Sequence, residues 1–264
     1  MREAQEYDID EIISYLENNV QDCLYMYIDI KKYRLNNPAM KVWFNRDQNN
    51  RINLVIMKYH TSISLHMEGD TVSLSEISRI IHEYNPASIT GKKSIIEKIA
   101  PSVCLEYNTE YGHIFEYKKF CDFGGNEMVE KATEEDAMEI ARLITSDKEI
   151  GSYYEIEDFA NQLVERMRAD MGRNYIIRED GKIIGHIATY AELDDVAVTG
   201  GLIVERAYEG HMFGAVLEGY VVRQMREEGF RLYTFVVNHK RYKLLKNMGN
   251  LPVGEYGKMI KAGE

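Results

Sequence analysis

The chain has 264 residues, 45% of them hydrophobic, which exceeds the commonest domain size and points to two domains with real cores. Forty-three acidic against 32 basic side chains give a formal net charge of −11, which disfavours a nucleic-acid binder and fits a neutral or cationic partner better. Cys23, Cys104 and Cys121 are scattered, with no CxxC or Cys/His spacing, so neither a disulfide framework nor a metal site is expected. The compartment reads as reducing. The opening MREAQEYDIDEI is charged and no apolar run approaches about 18 residues, so neither secretion nor a membrane span is indicated, and a cytoplasmic protein is expected.

In chain order, Ile9, Ile12, Ile13, Leu16 and Val20 recur at helical spacing behind Asp8, which can cap the first turn. Lys41 to Asn45, Asn53 to Tyr59 and Ser62 to Met67 read as a three-stranded antiparallel meander. Ser73 with Glu76 forms a capping-box pattern before Ile77, Ile80, Ile81 and Tyr84, in a helix that ends before Pro86. Ser88 to Thr90 is strand-like, Gly91 a turn, Lys92 to Ile99 a short helix, and Tyr107 to Tyr117 is β again. Asp122-Phe123-Gly124-Gly125-Asn126 is taken as a linker, giving domains 1–125 and 126–264.

The second half repeats the style of the first. Thr133 and Asp136 make a capping-box pattern ahead of Ala137, Ile140, Ala141 and Ile144, and Phe159, Leu163, Met167 and Met171 mark a second helix. Asn174 to Arg178 and Ile183 to Tyr190 are strands joined through Asp180-Gly181, a strong hairpin signal. Leu232 to Val237 is a further strand, Lys240 to Met248 a basic helix and Val253 to Ile260 a last strand. The two segments beginning at Val42 and Asn174 share strand, Arg-acid turn, strand and strand, each flanked by amphipathic helices, so a duplicated fold is expected.

The stretch around which the rest is organised runs from Val196 to Gly229. Val196 to Val204 is apolar and largely β-branched, Glu205 to Gly210 breaks the run, and Gly214 to Glu228 places Leu217, Val221 and Met225 on one helical face. A buried strand feeding a helix through a short turn leaves the first helical amides unpaired, which suits phosphate. Gly210 and Gly214 could let the backbone approach a ligand closely.

On these residues the second half, roughly Met128 to Lys261, resembles the GNAT superfamily of acetyl-CoA-dependent N-acetyltransferases. The fold class implied is α+β with a mixed sheet, GNAT-like in the carboxy-terminal domain and preceded by a related, degenerate α/β domain. In that family the long strand presents its last backbone groups to the pantetheine arm, here Leu202, Ile203 and Val204. The phosphate loop, Gln/Arg-x-x-Gly-x-Gly/Ala, falls on Glu209, Gly210, His211, Met212, Phe213 and Gly214, with Ala215 next, and the post-strand asparagine on Asn238. The Lys-x-Gly-Phe ending falls on Asn247-Met248-Gly249-Asn250. The sequence departs from the pattern at Glu209, at Met212 in place of the middle glycine, and at Leu245 in place of a tyrosine. Glu205 and Glu209 bring negative charge to a phosphate ligand, which Arg206, Lys240, Arg241, Lys243 and Lys246 could offset.

Acyl transfer needs an amine that loses a proton, a stabilised oxyanion and a protonated leaving thiolate. Candidate bases are Glu192, Asp194 and Asp195 at the entry to the organising strand, and the candidate acid is Tyr242. His186, inside a strand, reads as a satisfied sheet residue, whereas His211 could add a donor to the phosphate loop. The segment after the third amino-terminal strand, Glu68 to Ser73, has one glycine and two acids, so no CoA site is expected there. The expected activity is transfer of an acetyl group from acetyl-CoA, with no metal, to a small-molecule amine or a lysine-bearing peptide. Two alternatives stay open, a non-catalytic acyl-CoA-binding or sensing module and a protein-interaction domain without CoA.

Overall fold

The computed structural model describes residues 1–69, 72–103, 107–147, 151 and 154–261; Cys104, Asp70 and Thr71 lie outside the described residues. The chain divides into two compact units that are not contiguous in sequence. Unit 1 comprises Met1–Ile114, Val236–Tyr242 and Val253–Glu264, and unit 2 comprises Phe115–Phe235 and Lys243–Pro252. The linear division at 125/126 therefore differs from the division by compactness, because residues 253–261 belong with the amino-terminal unit and residues 115–125 with the other.

In unit 1, strands β1 (Arg2–Glu3), β2 (Met40–Arg46), β3 (Ile52–Tyr59) and β4 (Ser62–Met67) pair antiparallel in succession, as the alternation of the sequence predicts. Strand β5 (Ser88–Lys92) then joins β4 in parallel through Ser62↔Ser88 to Leu65↔Gly91. A parallel neighbour needs a crossover, supplied by helix α3 (Leu74–Tyr84). Ile63, Leu65 and Ile89 meet Ile77, Ile80 and Ile81 of α3 and Ile95, Ile96 and Ile99 of α4 (Lys93–Val103) in one core. Strand β6 (Tyr107–Glu116) follows, and β12 (Leu251–Lys261) pairs antiparallel with β5 from Tyr256↔Lys92 to Ile260↔Ser88.

Four local expectations are corrected. Helix α1 (Ile9–Glu17) stops before Val20, and the Asp8 carboxylate accepts from the Gln5 amide (2.9 Å) and from Arg2 (2.8 Å) instead of capping α1. Ser73 stands at the N-cap of α3 without a side-chain cap bond; its hydroxyl meets that of Ser75, and Glu76 accepts from the Met1 amino group. Gly91 lies within β5 and makes no turn. Helix α2 (Leu24–Tyr33) had no sequence signal because Leu24, Met26, Tyr27, Ile28 and Ile30 are all buried, which erases the polar stripe that marks an amphipathic helix.

Unit 2 carries the same scheme. Strand β7 (Val129–Lys131) and helices α5 (Ala137–Thr145) and α6 (Ile156–Arg168) precede β8 (Arg173–Glu179), β9 (Lys182–Leu193) and β10 (Val196–Val204), which form an antiparallel meander. The Thr133–Asp136 capping box is formed, the Thr133 amide donating to Asp136 at 2.8 Å, and Met171 lies beyond the end of α6. Asp180 and Gly181 turn the β8–β9 hairpin with φ of 49° and 80°. Helix α7 (Phe213–Glu227) is the crossover to β11 (Arg231–Val236), which pairs with β10 in parallel from Val196↔Arg231 to Thr199↔Thr234. Helix α8 (His239–Asn247) straddles the division between the units.

At Gly91 a Cβ would lie 2.7 Å from the Leu65 carbonyl oxygen, a backbone atom that cannot swing away. Gly91→Ala is expected to lower unfolding stability by roughly 1–3 kcal/mol in urea titrations, with an unchanged m-value.

Candidate active site

Strand β10 and the start of α7 build the site. The parallel ladder between β10 and β11 ends at Thr199↔Thr234, so the last five residues of β10, Gly200–Val204, run on without a partner in that ladder. Leu202 and Val204 turn their side chains toward α7, since a Cβ on Gly214 would stand 4.0 Å from Leu202 Cδ1 and 3.6 Å from Val204 Cγ2. Ile203 turns the other way, into the core formed with α5 and α6.

The connecting loop leads from β10 into α7. After the turn Arg206–Tyr208, Gly210 adopts φ 86° with open space where a Cβ would be. Met212 adopts φ 64° and ψ −1°, a left-handed conformation that disfavours a side chain, and is the residue from which α7 begins. Its carbonyl accepts from Ala215 (2.9 Å) and Val216 (3.0 Å). Among the described residues the amides of Met212, Phe213 and Gly214 donate to no backbone carbonyl, as expected for a helix start. Glu209, Gly210, His211 and Met212 are exposed. The rings of Tyr208, His211 and Phe213 stand about one ring apart in a triangle, with centroids 6.0 to 6.3 Å from one another, and so brace the loop.

Charge at the loop is balanced by a residue that sequence reasoning missed. Lys182, at the start of β9, donates to Glu205 at 2.6 Å. The second Glu205 oxygen is buried with no hydrogen-bond partner among the described residues. A buried acceptor left open beside the loop is free to take a donor from a ligand.

The expected catalytic carboxylates are elsewhere. Glu192, Asp194 and Asp195 lie at the first end of β10, where the ladder with β11 is closed, a whole strand away from the loop. Glu192 is held by Arg173 through two contacts of 2.9 and 2.8 Å, with both side chains largely buried, and accepts from Thr189 as well. Asp194 makes the hairpin turn at φ 52°, and Asp195 pairs with Arg231 at 2.9 Å. Asn238 and Tyr242 belong to unit 1, and the loop to unit 2. The Asn238 side chain caps α8 by accepting from the amides of Lys240 (2.9 Å) and Arg241 (3.2 Å), while Tyr242 packs on His113 and His239. Leu245 is fully buried, and Asn250 accepts from the amides of Lys118 and Lys119 at 2.9 and 3.0 Å.

His186 is the satisfied sheet residue expected. Fully buried, its Nδ1–H donates to the Gly201 carbonyl at 2.9 Å and its Nε2 lies 2.9 Å from the terminal amide of Asn174, whose NH2 can face it. Burial pushes the imidazole down to about 4, against the opposing effect of the Gly201 hydrogen bond.

These features identify the unit. The family model for the acetyltransferase (GNAT) domain matches residues 124–244. Residues 124–244 are a GNAT acetyltransferase domain. No curated protein matches the chain by sequence. Solved structures show the fold over nearly the full length. A Drosophila protein from a structural genomics effort aligns with a TM-score of 0.69 and 13% identity over 99% of this chain and 98% of its own. A tandem GNAT protein from the clavulanic acid biosynthesis pathway aligns at 0.58 and 13% over 99% and 98%. A GCN5-related N-acetyltransferase from Sphaerobacter thermophilus aligns at 0.62 and 11% over 100% and 96%. The GNAT fold and the mixed α/β class read from the sequence are those of the structure. Among the described residues no group of three or more His, Cys, Asp or Glu is arranged to hold a metal ion, and no helix is long and apolar enough to cross a membrane.

Two measurements check this account of the GNAT domain. Because the folded-state pKa of His186 lies below the ordinary 6.5, the unfolded chain takes up the proton first as pH falls. The His186 contribution is then fully present above pH 6.5 and is lost toward pH 4. Between pH 7 and 4.5 that loss should be about 2–3 kcal/mol, and His186→Gln should remove that part of the slope in paired denaturation curves. Glu192→Ala, which leaves the Arg173 guanidinium with Glu228 as its remaining carboxylate partner, should cost about 1–3 kcal/mol in the same assay, as a structural partner would and an idle surface base would not.

Proposed function

We propose that the GNAT domain binds acetyl-CoA along the free end of β10 and transfers its acetyl group to an amine. One observation carries the reading: β10 leaves β11 after Thr199 and runs into a loop whose Met212, Phe213 and Gly214 amides are unpaired. Leu202–Val204 would follow the pantetheine arm, and the loop from Glu209 to Ala215 would take the phosphates at the start of α7, where amide dipoles favour negative charge. Met212 holds the turn geometry that the family's glycine would supply, and Lys182 tempers Glu205. The chemistry is attack of the amine nitrogen on the thioester carbonyl, with departure of CoA as a thiol. With Glu192 committed to Arg173 and Asp195 to Arg231, the amine reaches its free-base form through solvent, and the rate should rise with pH as the acceptor deprotonates. The net charge of −11 supports a cationic acceptor, a small-molecule amine or a lysine-bearing peptide, in the cytoplasm.

A second reading, CoA binding without turnover, is favoured by the buried Leu245 at the family's tyrosine position. A thiol-release assay over polyamines, aminoglycosides, amino acids and lysine peptides separates the two. At least one acceptor that turns over supports the enzyme, and binding with none supports the sensor.

Calorimetry should detect acetyl-CoA binding that weakens with added salt, because phosphate contacts are screened. Gly214→Trp should abolish that binding with far-UV dichroism unchanged, since the indole would fill the space between the helix start and Leu202–Val204. Normal binding by the folded variant would show that the CoA cleft is elsewhere.

A further inference from the structure

On the face of β4 turned away from the core that holds Ile63 and Leu65, the successive residues are polar: Ser62, Ser64 and His66. The first two are matched across the parallel ladder, the Ser62 hydroxyl with that of Ser88 at 2.9 Å and the Ser64 hydroxyl with that of Thr90 at 2.9 Å. The row breaks at its third member. Lys92, the next residue of that face on β5, donates to Asp22 at 2.7 Å, and His66 meets the ring of Tyr15 from α1, with centroids 5.5 Å apart and planes at 52°.

The Tyr15–His66 contact gathers unmatched polar atoms. His66 is 2% exposed, and neither its Nδ1 nor its Nε2, nor the buried Tyr15 hydroxyl, has a hydrogen-bond partner among the described residues. The Glu68 amide beside Tyr15 is already committed, donating to the Asn53 carbonyl at 2.9 Å. Elsewhere among the described residues only Glu205 and Asn250 leave a buried side-chain polar atom unmatched, one each. A buried polar group without a partner costs about 1–3 kcal/mol, and three of them at one contact mark a place built for an occupant.

The chemistry of the surroundings selects that occupant. The charged groups acting on His66 are Asp22, Glu68 and Lys92, two carboxylates against one ammonium, and burial keeps the imidazole neutral at pH 7. A phosphate or carboxylate ligand would meet the two acids. A neutral imidazole presents one lone pair and one N–H, and a tyrosine hydroxyl offers further lone pairs, so the site can accept from a cationic donor and return one hydrogen bond. We infer that unit 1 binds a small primary amine at the end of the β4–β5 ladder, its ammonium group donating to one ring nitrogen of His66 and to the Tyr15 hydroxyl. A hydroxyl or carbonyl oxygen of the same ligand accepts from the other ring nitrogen. The site is reached from the surface, since Tyr15 is half-buried while Glu68 and Lys92 are exposed. It lies within unit 1 and does not depend on the acetyl-CoA reading of unit 2.

The test sets ethanolamine against choline, which keeps the hydroxyl and the positive charge but has no N–H, on the full chain carrying nitrogen-15 histidine. At pH 7 ethanolamine should move the ring-nitrogen resonances of His66, assigned by their loss in His66→Leu, to a saturating limit, and choline should leave them in place. Tyr15→Phe keeps the ring against His66 and should weaken ethanolamine binding about tenfold or more, the value of one hydrogen bond to a charged group. Without ligand the same variant should unfold at the wild-type temperature or above it, because the atom removed has no protein partner to lose. His66 resonances that ethanolamine does not move, or that choline moves equally, overturn the inference, as does undiminished ethanolamine binding by Tyr15→Phe. Water cross-peaks that persist at His66 under saturating ethanolamine would identify the occupant as structural water, and the inference would fall with that result too.

Discussion

Backbone pairing along β10 is the constraint on which the rest of the site depends. A strand in the middle of a sheet has its amides and carbonyls committed on both sides, and such a strand offers nothing to a ligand. Here the commitment to β11 lapses after Thr199 and the commitment to β9 is disturbed by two compensating bulges over the same few residues. The exposed polar backbone and the Tyr190 ring packed over Gly200 and Gly201 thus occur at one place, and the register is restored soon enough that Ile203 still reaches the α5–α6 core. His186 and Asn174 repair the local polar balance, since a Gly201 carbonyl left unpaired in the interior would cost roughly 1–3 kcal/mol.

The comparison of the two units shows what this arrangement adds. Both have a meander, a crossover helix and a parallel fourth strand, and in both the parallel ladder holds four residue pairs, ending at Leu65↔Gly91 in unit 1 and Thr199↔Thr234 in unit 2. In unit 1 the strand continues with His66 and Met67 where unit 2 has Gly200 and Gly201, and the β3–β4 register runs from Tyr59↔Ser62 to Leu54↔Met67 without a shift. His66 is buried, neither ring nitrogen has a hydrogen-bond partner among the described residues, and burial lowers its pKa. The two units thus differ at the position that follows the parallel ladder: two larger side chains on an unbroken ladder in unit 1, and two glycines packed under the Tyr190 ring in unit 2.

Most of the fold was legible because strand and helix periods show directly in the sequence: β4 and β10 fall where the residue pattern puts them, and the Asp180-Gly181 hairpin and the phosphate-loop helix need only local chemistry. Of the candidate site, the loop and the start of α7 were legible, and the pairing of β9 with β10 was not. Register shifts leave no trace in strands buried on both faces, where Ala188, Ala191, Ala197 and Val198 read alike whichever way they point. Tyr190 was one tyrosine among 19, and Glu192 looked like a free turn carboxylate because Arg173 is distant in sequence. The available signal was Gly200-Gly201 inside a strand, a pair that marks a bulge or the close approach of another group.

The assignment of residues 253–261 to unit 1 bears on how the protein is made. On the ribosome, the first 114 residues emerge with β5 lacking its β12 neighbour, and at ordinary elongation rates roughly ten to thirty seconds pass before that strand is synthesised. Through that interval the Ser88–Lys92 edge is unpaired, a template for association with other nascent chains. Pairing of that edge waits on β12, so a ribosome that stalls anywhere before Leu251 leaves it open.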